Sequence, residues 1–440
     1  MRSLAFTSRF YLVCGLLTAG FLSGFVWPGV FQLTRIALYG LGSVLIVDLL
    51  ILFFMQGGVE ATRRTPERFS NGDDNQITIT VTNRYPFNVD VEVIDELPIQ
   101  LQVRNFNRFL QLSRSETKAF SYILRPVERG EYHFGDVILL AQSRLGLLRR
   151  RFASPISNMV PVYPSFIQMR KYEMLAISNR LSEAGIKRIR RVGHTMEFDQ
   201  IREYVPGDDI RTINWQATAR KVNLMVNSYE DERSQQIYSI INMGRVMKMP
   251  FNGLSLLDYS INAALVISNV AMRKQDKAGI VTYSHKLHSL LKAQRHASQM
   301  SKILELLYRE RTDFTESHYA SLYLNVRKSL HQRSLLLLFT NFQTLTGLRR
   351  ELSSLKRLAK HHVLVVIFFE DVETESIIRQ KGHATEDIYF KTIARQFAYE
   401  KRQIAKELRQ NGIHSILTAP ENLTVNTINT YLALKSRGII

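Results

Sequence analysis

Two long apolar stretches near the amino terminus constrain this chain more than any other feature. Phe10 to Trp27 (FYLVCGLLTAGFLSGFVW) carries no charge, and Ile36 to Phe54 (IALYGLGSVLIVDLLILFF) carries only Asp48. A hydrocarbon core about 30 Å thick is crossed by about 20 apolar residues at a rise of about 1.5 Å each. Unpaired backbone groups are costly in lipid, so such segments must be helical. The expectation is a transmembrane hairpin within residues 1–57, closed by the connection Pro28–Arg35. A cleaved signal peptide fits less well: the first run is long, no A-x-A site follows it, and a second run comes at once.

Flanking charge sets the orientation. Arg2 and Arg9 precede the hairpin, Arg63, Arg64 and Arg68 follow it, and the connection holds only Arg35. The positive-inside rule then places both termini and the large remainder in the cytoplasm, at an inner (plasma) membrane. The single cysteine, Cys14, excludes a disulfide scaffold and a thiolate zinc finger. Asp48 in a span costs about 2.5–3.5 kcal/mol at the bilayer centre. It is expected to pair with Thr18 or Ser23, to sit off-centre, or to make a polar contact between spans or protomers. Lys and Arg (58) outnumber Asp and Glu (39), for a formal net charge of +19. That excess suggests an anionic partner: the lipid bilayer, nucleic acid or an acidic protein surface.

After Arg64 the hydrophobic period becomes two. Ile77–Thr82 and Val89–Val93 alternate cleanly and read as half-buried strands around the turn Asn83–Asn88. Thr117–Leu124, Asp136–Gln142 and Met159–Tyr163 are further strands. The spacing predicts an antiparallel β-sandwich of immunoglobulin-like type over residues 58–165. Arg149, Arg150 and Arg151 read as a solvated edge-strand face, with lipid head-group contact as the alternative.

Residues 166–233 read as a linker and motif region. Ile167–Arg191 is expected to be mostly helical, ending in the basic run Lys187–Arg191. No aromatic residue interleaves with that run, so no nucleic-acid partner is expected. The distinctive segment is Glu197 followed by FDQIREYVPGDDIRTINWQATAR, Phe198 to Arg220. Pro206-Gly207 fits the centre of a type II turn. Asp208 or Asp209 can cap a helix running through Arg220, with Trp215 anchored against a core. Leu224–Tyr229 is a strand. Glu197, Asp199, Glu203, Asp208 and Asp209 lie among Arg202, Arg211 and Arg220. Paired carboxylates there would suit acid–base chemistry, which is the hydrolase alternative. No nucleophile, histidine dyad or metal spacing accompanies them, so a charge-paired loop is preferred and no enzyme is expected.

At these residues the chain resembles domain-of-unknown-function family 58. The motif Glu197, Phe198, Asp199, Arg202, Tyr204, Pro206, Gly207, Asp208, Asp209, Arg211, Asn214, Trp215, Thr218 and Arg220 carries most of the likeness. Val127–Asp136 is similar to the family's RG-Y-x-x-G strand pair, Ser143–Leu147 (SRLGL) to its usual DPLGL, and Val160–Pro164 to its VYP strand. The resemblance implies a von Willebrand factor A-like domain after the motif. It also implies an accessory role with a MoxR-type AAA+ ATPase, beside which such proteins are often encoded.

Residues 234–440 support an α/β reading in their own right. Gln236–Asn242, Ala278–Tyr283, Ser334–Thr340, His362–Phe369 and His414–Leu417 read as strands. Leu257–Arg273, Ala297–Tyr308, Tyr319–Leu330, Glu386–Gln410 and Leu423–Leu434 read as helical segments between or after them. Continuous apolar strands alternating with helices indicate a doubly wound parallel sheet, with its crevice at the carboxyl ends of the strands. The resemblance implies a metal-ion-dependent adhesion site there, D-x-S-x-S plus a later threonine and aspartate. Here those positions are Asn242, Gly244, Val246, Thr315 (or Thr312) and Asn341. A neutral shell offers little to offset dehydration of a divalent cation, so neither metal nor cofactor is expected. A Mg-dependent ligand binder is the alternative. His285 and His288, and His361 with His362, read as loop residues without a zinc set. No phosphate-binding G-x-x-x-x-G-K-[ST] and no G-x-S-x-G elbow is present. The function expected is a membrane-anchored cytoplasmic scaffold for protein partners.

Overall fold

The computed structural model describes residues 4–103, 106–177, 196–206, 208–221, 223–231, 234–312, 314–372, 374, 378 and 385–440. The chain is of mixed α/β character with several sheets and forms two compact units, Met1–Tyr163 and Pro164–Ile440.

In the first unit, helices Ser8–Gly24 and Pro28–Phe54 pack against each other. The turn between them is only Phe25–Trp27. Residues 28–35, expected as the connection, are instead the opening turns of the second helix. Pro28 starts it, where a missing N–H costs nothing. The chain doubles back tightly because Gly24 has no Cβ: one there would lie 2.9 Å from Phe31 Cα. The second helix has 27 residues, about 40 Å. Among the described residues it alone is long and apolar enough to cross a membrane. The first has 17 residues, about 26 Å, so one candidate span stands where two were expected.

Both ends of the hairpin are fastened to the β structure. Leu4–Phe6, a strand the sequence did not suggest, pairs antiparallel with Leu148–Arg150. The Thr7 hydroxyl donates to Gly146 O at 2.6 Å. Asp48 is fully buried, yet its partners are not Thr18 and Ser23, whose hydroxyls bond their own helix at Cys14 O and Gly20 O. Its carboxylate accepts the Ser143 hydroxyl and the Leu147 and Leu148 N–H groups, the latter at 3.1 and 2.9 Å. The Tyr85 hydroxyl and the Arg150 guanidinium donate to Leu52 O at 2.8 and 2.6 Å, satisfying a carbonyl at the helix end.

Three small sheets share one core in this unit. One has the order Leu4–Phe6, Leu148–Ser154, Val137–Gln142, Val89–Asp95, Asn107–Leu112. The second has the order Val59–Arg64, Asn75–Asn83, Thr117–Leu124. In the third, Phe69–Ser70 and Gly130–Phe134 flank Asn158–Tyr163. All pairings are antiparallel except that of Phe69–Ser70. Alternation in Asn75–Asn83 sends Ile77, Ile79 and Val81 inward. The strand holding Arg149–Arg151 is flanked on both sides and is no edge. Arg149 pairs with Glu92 at 2.9 Å, and the Arg150 guanidinium lies 4.8 Å over Phe53 and 4.9 Å over Phe152.

In the second unit a six-stranded sheet has the order Leu287–Gln294, Lys277–Tyr283, Gln236–Asn242, Leu335–Phe339, Val363–Phe369, His414–Thr418. Five strands are parallel; Leu287–Gln294, unforeseen, is an antiparallel edge. Each face has its own core. Helices Leu256–Arg273, Gln299–Arg309 and Leu423–Ser436 cover one, and Tyr319–Ser329, Leu345–His361 and the later turns of Thr385–Gln410 cover the other. Leu345–His361 was not read from the sequence. Helix Phe166–Ile177 packs on Leu256–Arg273. The basic run Lys187–Arg191 lies outside the described residues.

Candidate functional site

The chain enters the large sheet through Gln236–Asn242, and the strand order reverses between that strand and Leu335–Phe339. Their carboxyl ends bring Asn242 and Asn341 to the crevice side that such topology reserves for ligands. Asn242 is fully buried and fully used. Its amide nitrogen donates to Thr340 Oγ1 at 2.9 Å and Tyr319 Oη at 3.4 Å. Its oxygen accepts Gly244 N–H at 2.8 Å and Ser317 Oγ at 2.7 Å. Tyr319, stacked on Phe342, bonds Thr340 Oγ1 at 2.6 Å, and burial pushes its pKa up to about 12. Asn341 Oδ1 accepts the Lys401 ammonium at 2.7 Å.

The other positions of the pattern diverge. Val246 sits in the single turn Arg245–Met247 and packs against the core. Thr312 donates to Met243 O at 2.6 Å. Thr315 joins a different group: its hydroxyl lies 3.2 Å from Ser284 Oγ and 3.0 Å from His285 Nδ1, while His288 Nε2 lies 2.7 Å from Ser284 Oγ. His361 ends a helix and His362 caps it. Among the described residues no three His, Cys, Asp or Glu side chains are grouped to hold a metal. A Cβ at Gly244 would lie 2.1 Å from Ser317 Oγ and 2.9 Å from Thr315 O. Gly244→Ala is therefore expected to displace the 315–317 loop and cost about 1–3 kcal/mol, read as a lower melting temperature.

The motif segment forms a separate two-stranded sheet, Met196–Glu203 with Met225–Asp231. Glu197, Phe198 and Asp199 lie on its first strand. Gly207, and with it the full geometry of the expected turn, lies outside the described residues. Asp208 accepts Arg202 at 2.6 Å and Val205 N–H at 2.9 Å. The Arg202 bond, then the Val205 bond, hold its carboxyl below the usual range. Asp209 caps only the single turn Ile210–Thr212. The chain then extends at Ile213, bridged to Val226, and a new helix runs Trp215–Lys221 with Asn214 Oδ1 accepting Ala217 N–H at 3.0 Å. Thr218 Oγ1 accepts Met225 N–H, and Tyr204 N–H bonds Leu224 O, which knits the unit together. Glu203, Arg211 and Arg220 are exposed. Trp215, expected against a core, is instead 67% exposed, and Ile210 70%. Lys401 and Ser317 were missed by sequence reasoning; neither stands in a recognisable motif.

Residues 200–384 match the model of a family described as Protein of unknown function DUF58. The chain is 27% identical over 241 residues to the Uncharacterized protein YeaD of Bacillus subtilis (strain 168), covering 52% of this chain and 59% of that protein. It thus spans less than two thirds of that relative's length. Among solved structures, a CARDB domain from Pyrococcus furiosus matches 24% of this chain and 93% of its own, at 12% identity and a TM-score of 0.17. A PapD-like domain of human CEP192 matches 24% of this chain and 85% of its own, at 12% identity and a TM-score of 0.18. The similarity to the DUF58 family thus extends over residues 200–384, less than half of the chain.

Proposed function

We propose that the chain is a membrane-anchored, cytoplasmic interaction protein whose motif unit docks a protein partner, with a MoxR-type AAA+ ATPase as the partner class. The exposure of Trp215 and Ile210 carries this reading. Large apolar side chains left in water are costly in groups, and Trp and Arg dominate the energetics of protein interfaces. Arg211 and Arg220 are exposed on the same unit. The helix Pro28–Phe54, followed by Arg63, Arg64 and Arg68, favours anchoring with the remainder in the cytoplasm. The strand order favours a von Willebrand A-like reading of residues 234–440.

The donor set at the crevice favours binding without a metal. Asn242 Oδ1 already takes two hydrogen bonds, and Asn341 Oδ1 takes an ammonium. Calorimetry with Mg²⁺ or Mn²⁺ is expected to show no saturable heat; heat that vanishes in Asn341→Ala would favour the metal-dependent reading. The Arg202 and Val205 bonds lower the Asp208 pKa, which suits Asp208 poorly to the role of a general acid in the hydrolase alternative.

The test is affinity purification of the full chain from gently solubilised membranes. A MoxR-type AAA+ ATPase is expected to co-purify. Trp215→Ala is expected to cost about 2 kcal/mol of that interaction, roughly thirty-fold in affinity. Recovery of no such ATPase, or affinity unchanged by the substitution, would overturn the proposal.

A further inference from the structure

We propose that Lys401 anchors a pocket for a small organic acid, a ligand joining one carboxylate to a compact apolar body. The inference is independent of the Trp215 surface. A cavity of about 360 Å³ opens beside the carboxyl ends of the strands Leu335–Phe339 and Val363–Phe369. That volume is within the range of small-molecule sites. Met249, Phe251, Phe369 and Phe397 supply apolar walls, and Lys401 and Arg402 supply positive charge. The Lys401 ammonium has three donors. Among the described residues its hydrogen-bond acceptor is the neutral amide oxygen of Asn341, at 2.7 Å, and no carboxylate lies within ion-pair distance.

A desolvated cation that meets an amide oxygen and, at 5.9 Å, the Phe368 ring still lacks an anionic partner. Burial lowers the Lys401 pKa to about 8, partly opposed by the charge of Asp371. Asp371 also lines the cavity, but its carboxylate accepts Thr374 N–H at 3.3 Å on its own loop. A ligand carboxylate would give the ammonium the charged acceptor it lacks, while the ring or chain behind it fills the apolar side.

The test uses the full chain in lipid nanodiscs, with empty discs as reference, and ¹⁹F NMR line broadening of 4-fluorophenylacetate against the uncharged 4-fluorophenylacetamide. The acid is expected to bind at least tenfold more tightly than the amide. Lys401→Met is expected to abolish that preference; Lys406→Met, five residues along the helix, is expected to keep it. The unsubstituted chain supplies a second measurement. The ammonium is present below its pKa and lost above it, so affinity for the acid should fall about tenfold from pH 7 to pH 9.5. Glu370, Asp371 and Arg402 are the other charged groups lining the cavity. Equal binding of acid and amide, binding unaffected by Lys401→Met or by pH, or no binding of the acid at millimolar concentration would each overturn the proposal.

Discussion

Asp48→Ala is expected to release the Ser143–Leu148 loop from the second helix and to destabilise the amino-terminal unit by roughly 2–6 kcal/mol. The magnitude follows from what remains. The carboxylate accepts two backbone N–H groups and one hydroxyl in a site without solvent access. Alanine strands the two N–H groups, each costing about 1–3 kcal/mol when buried and unpaired. Water cannot readily replace the carboxylate, because Leu147 and Leu148 are themselves buried. Asp48→Asn should be milder. The amide oxygen can take both N–H groups while the amide nitrogen donates to Ser143 Oγ, a hydroxyl able to reverse its role. The order of stability is therefore wild type, then asparagine, then alanine. Hydrogen exchange reads it locally: the Leu147 and Leu148 amides should lose protection in the alanine variant, while amides of the strand Val363–Phe369, in the other unit, should not. Unchanged protection at Leu147 and Leu148 would remove Asp48 from this role.

That contact also shows where sequence reasoning stops. Asp48 was legible as an anomaly, a carboxylate among apolar residues, but its partner Ser143 lies 95 residues away and nothing local announces it. Strands were legible when burial imposed a pattern: Ile77–Thr82 alternates because one face is covered, and Leu335–Phe339 is wholly apolar because both faces are. Leu345–His361 was missed because three buried leucines form a thin stripe in a strongly charged helix. Leu287–Gln294 was missed because an edge strand with two register shifts has no clean period. Trp215 misled for another reason. Apolar character states that a side chain gains by burial, not that its own chain supplies the cover. At the crevice, Asn242, Gly244 and Asn341 could be located by position, but Lys401, sixty residues beyond Asn341, is one cation among many on its helix.

Asp95→Ala is the second substitution expected to be severe, at about 3–5 kcal/mol, because it leaves a buried cation without its counterion. Arg63 and Asp95 meet at 2.5 Å with side chains 1% and 0% exposed. The guanidinium also donates to Gly135 O at 3.0 Å and Ile156 O at 2.7 Å, and it lies 4.8 Å over the Phe134 ring. Tyr122 donates its hydroxyl to the same carboxylate, and burial followed by the charge of Asp95 raises the Tyr122 pKa. These contacts join strands from all three sheets, so the pair ties the sheets to one another. They do not make the pair a large net source of stability, since both charges were taken out of water to form it. The comparison that separates the two ideas is the double variant Arg63→Met, Asp95→Leu. If the cost of the single variant is mainly the stranded charge, the double variant should recover most of it in urea unfolding of the full chain. If it does not, the hydrogen bonds of Arg63 to Gly135 and Ile156 are themselves what holds the sheets in register.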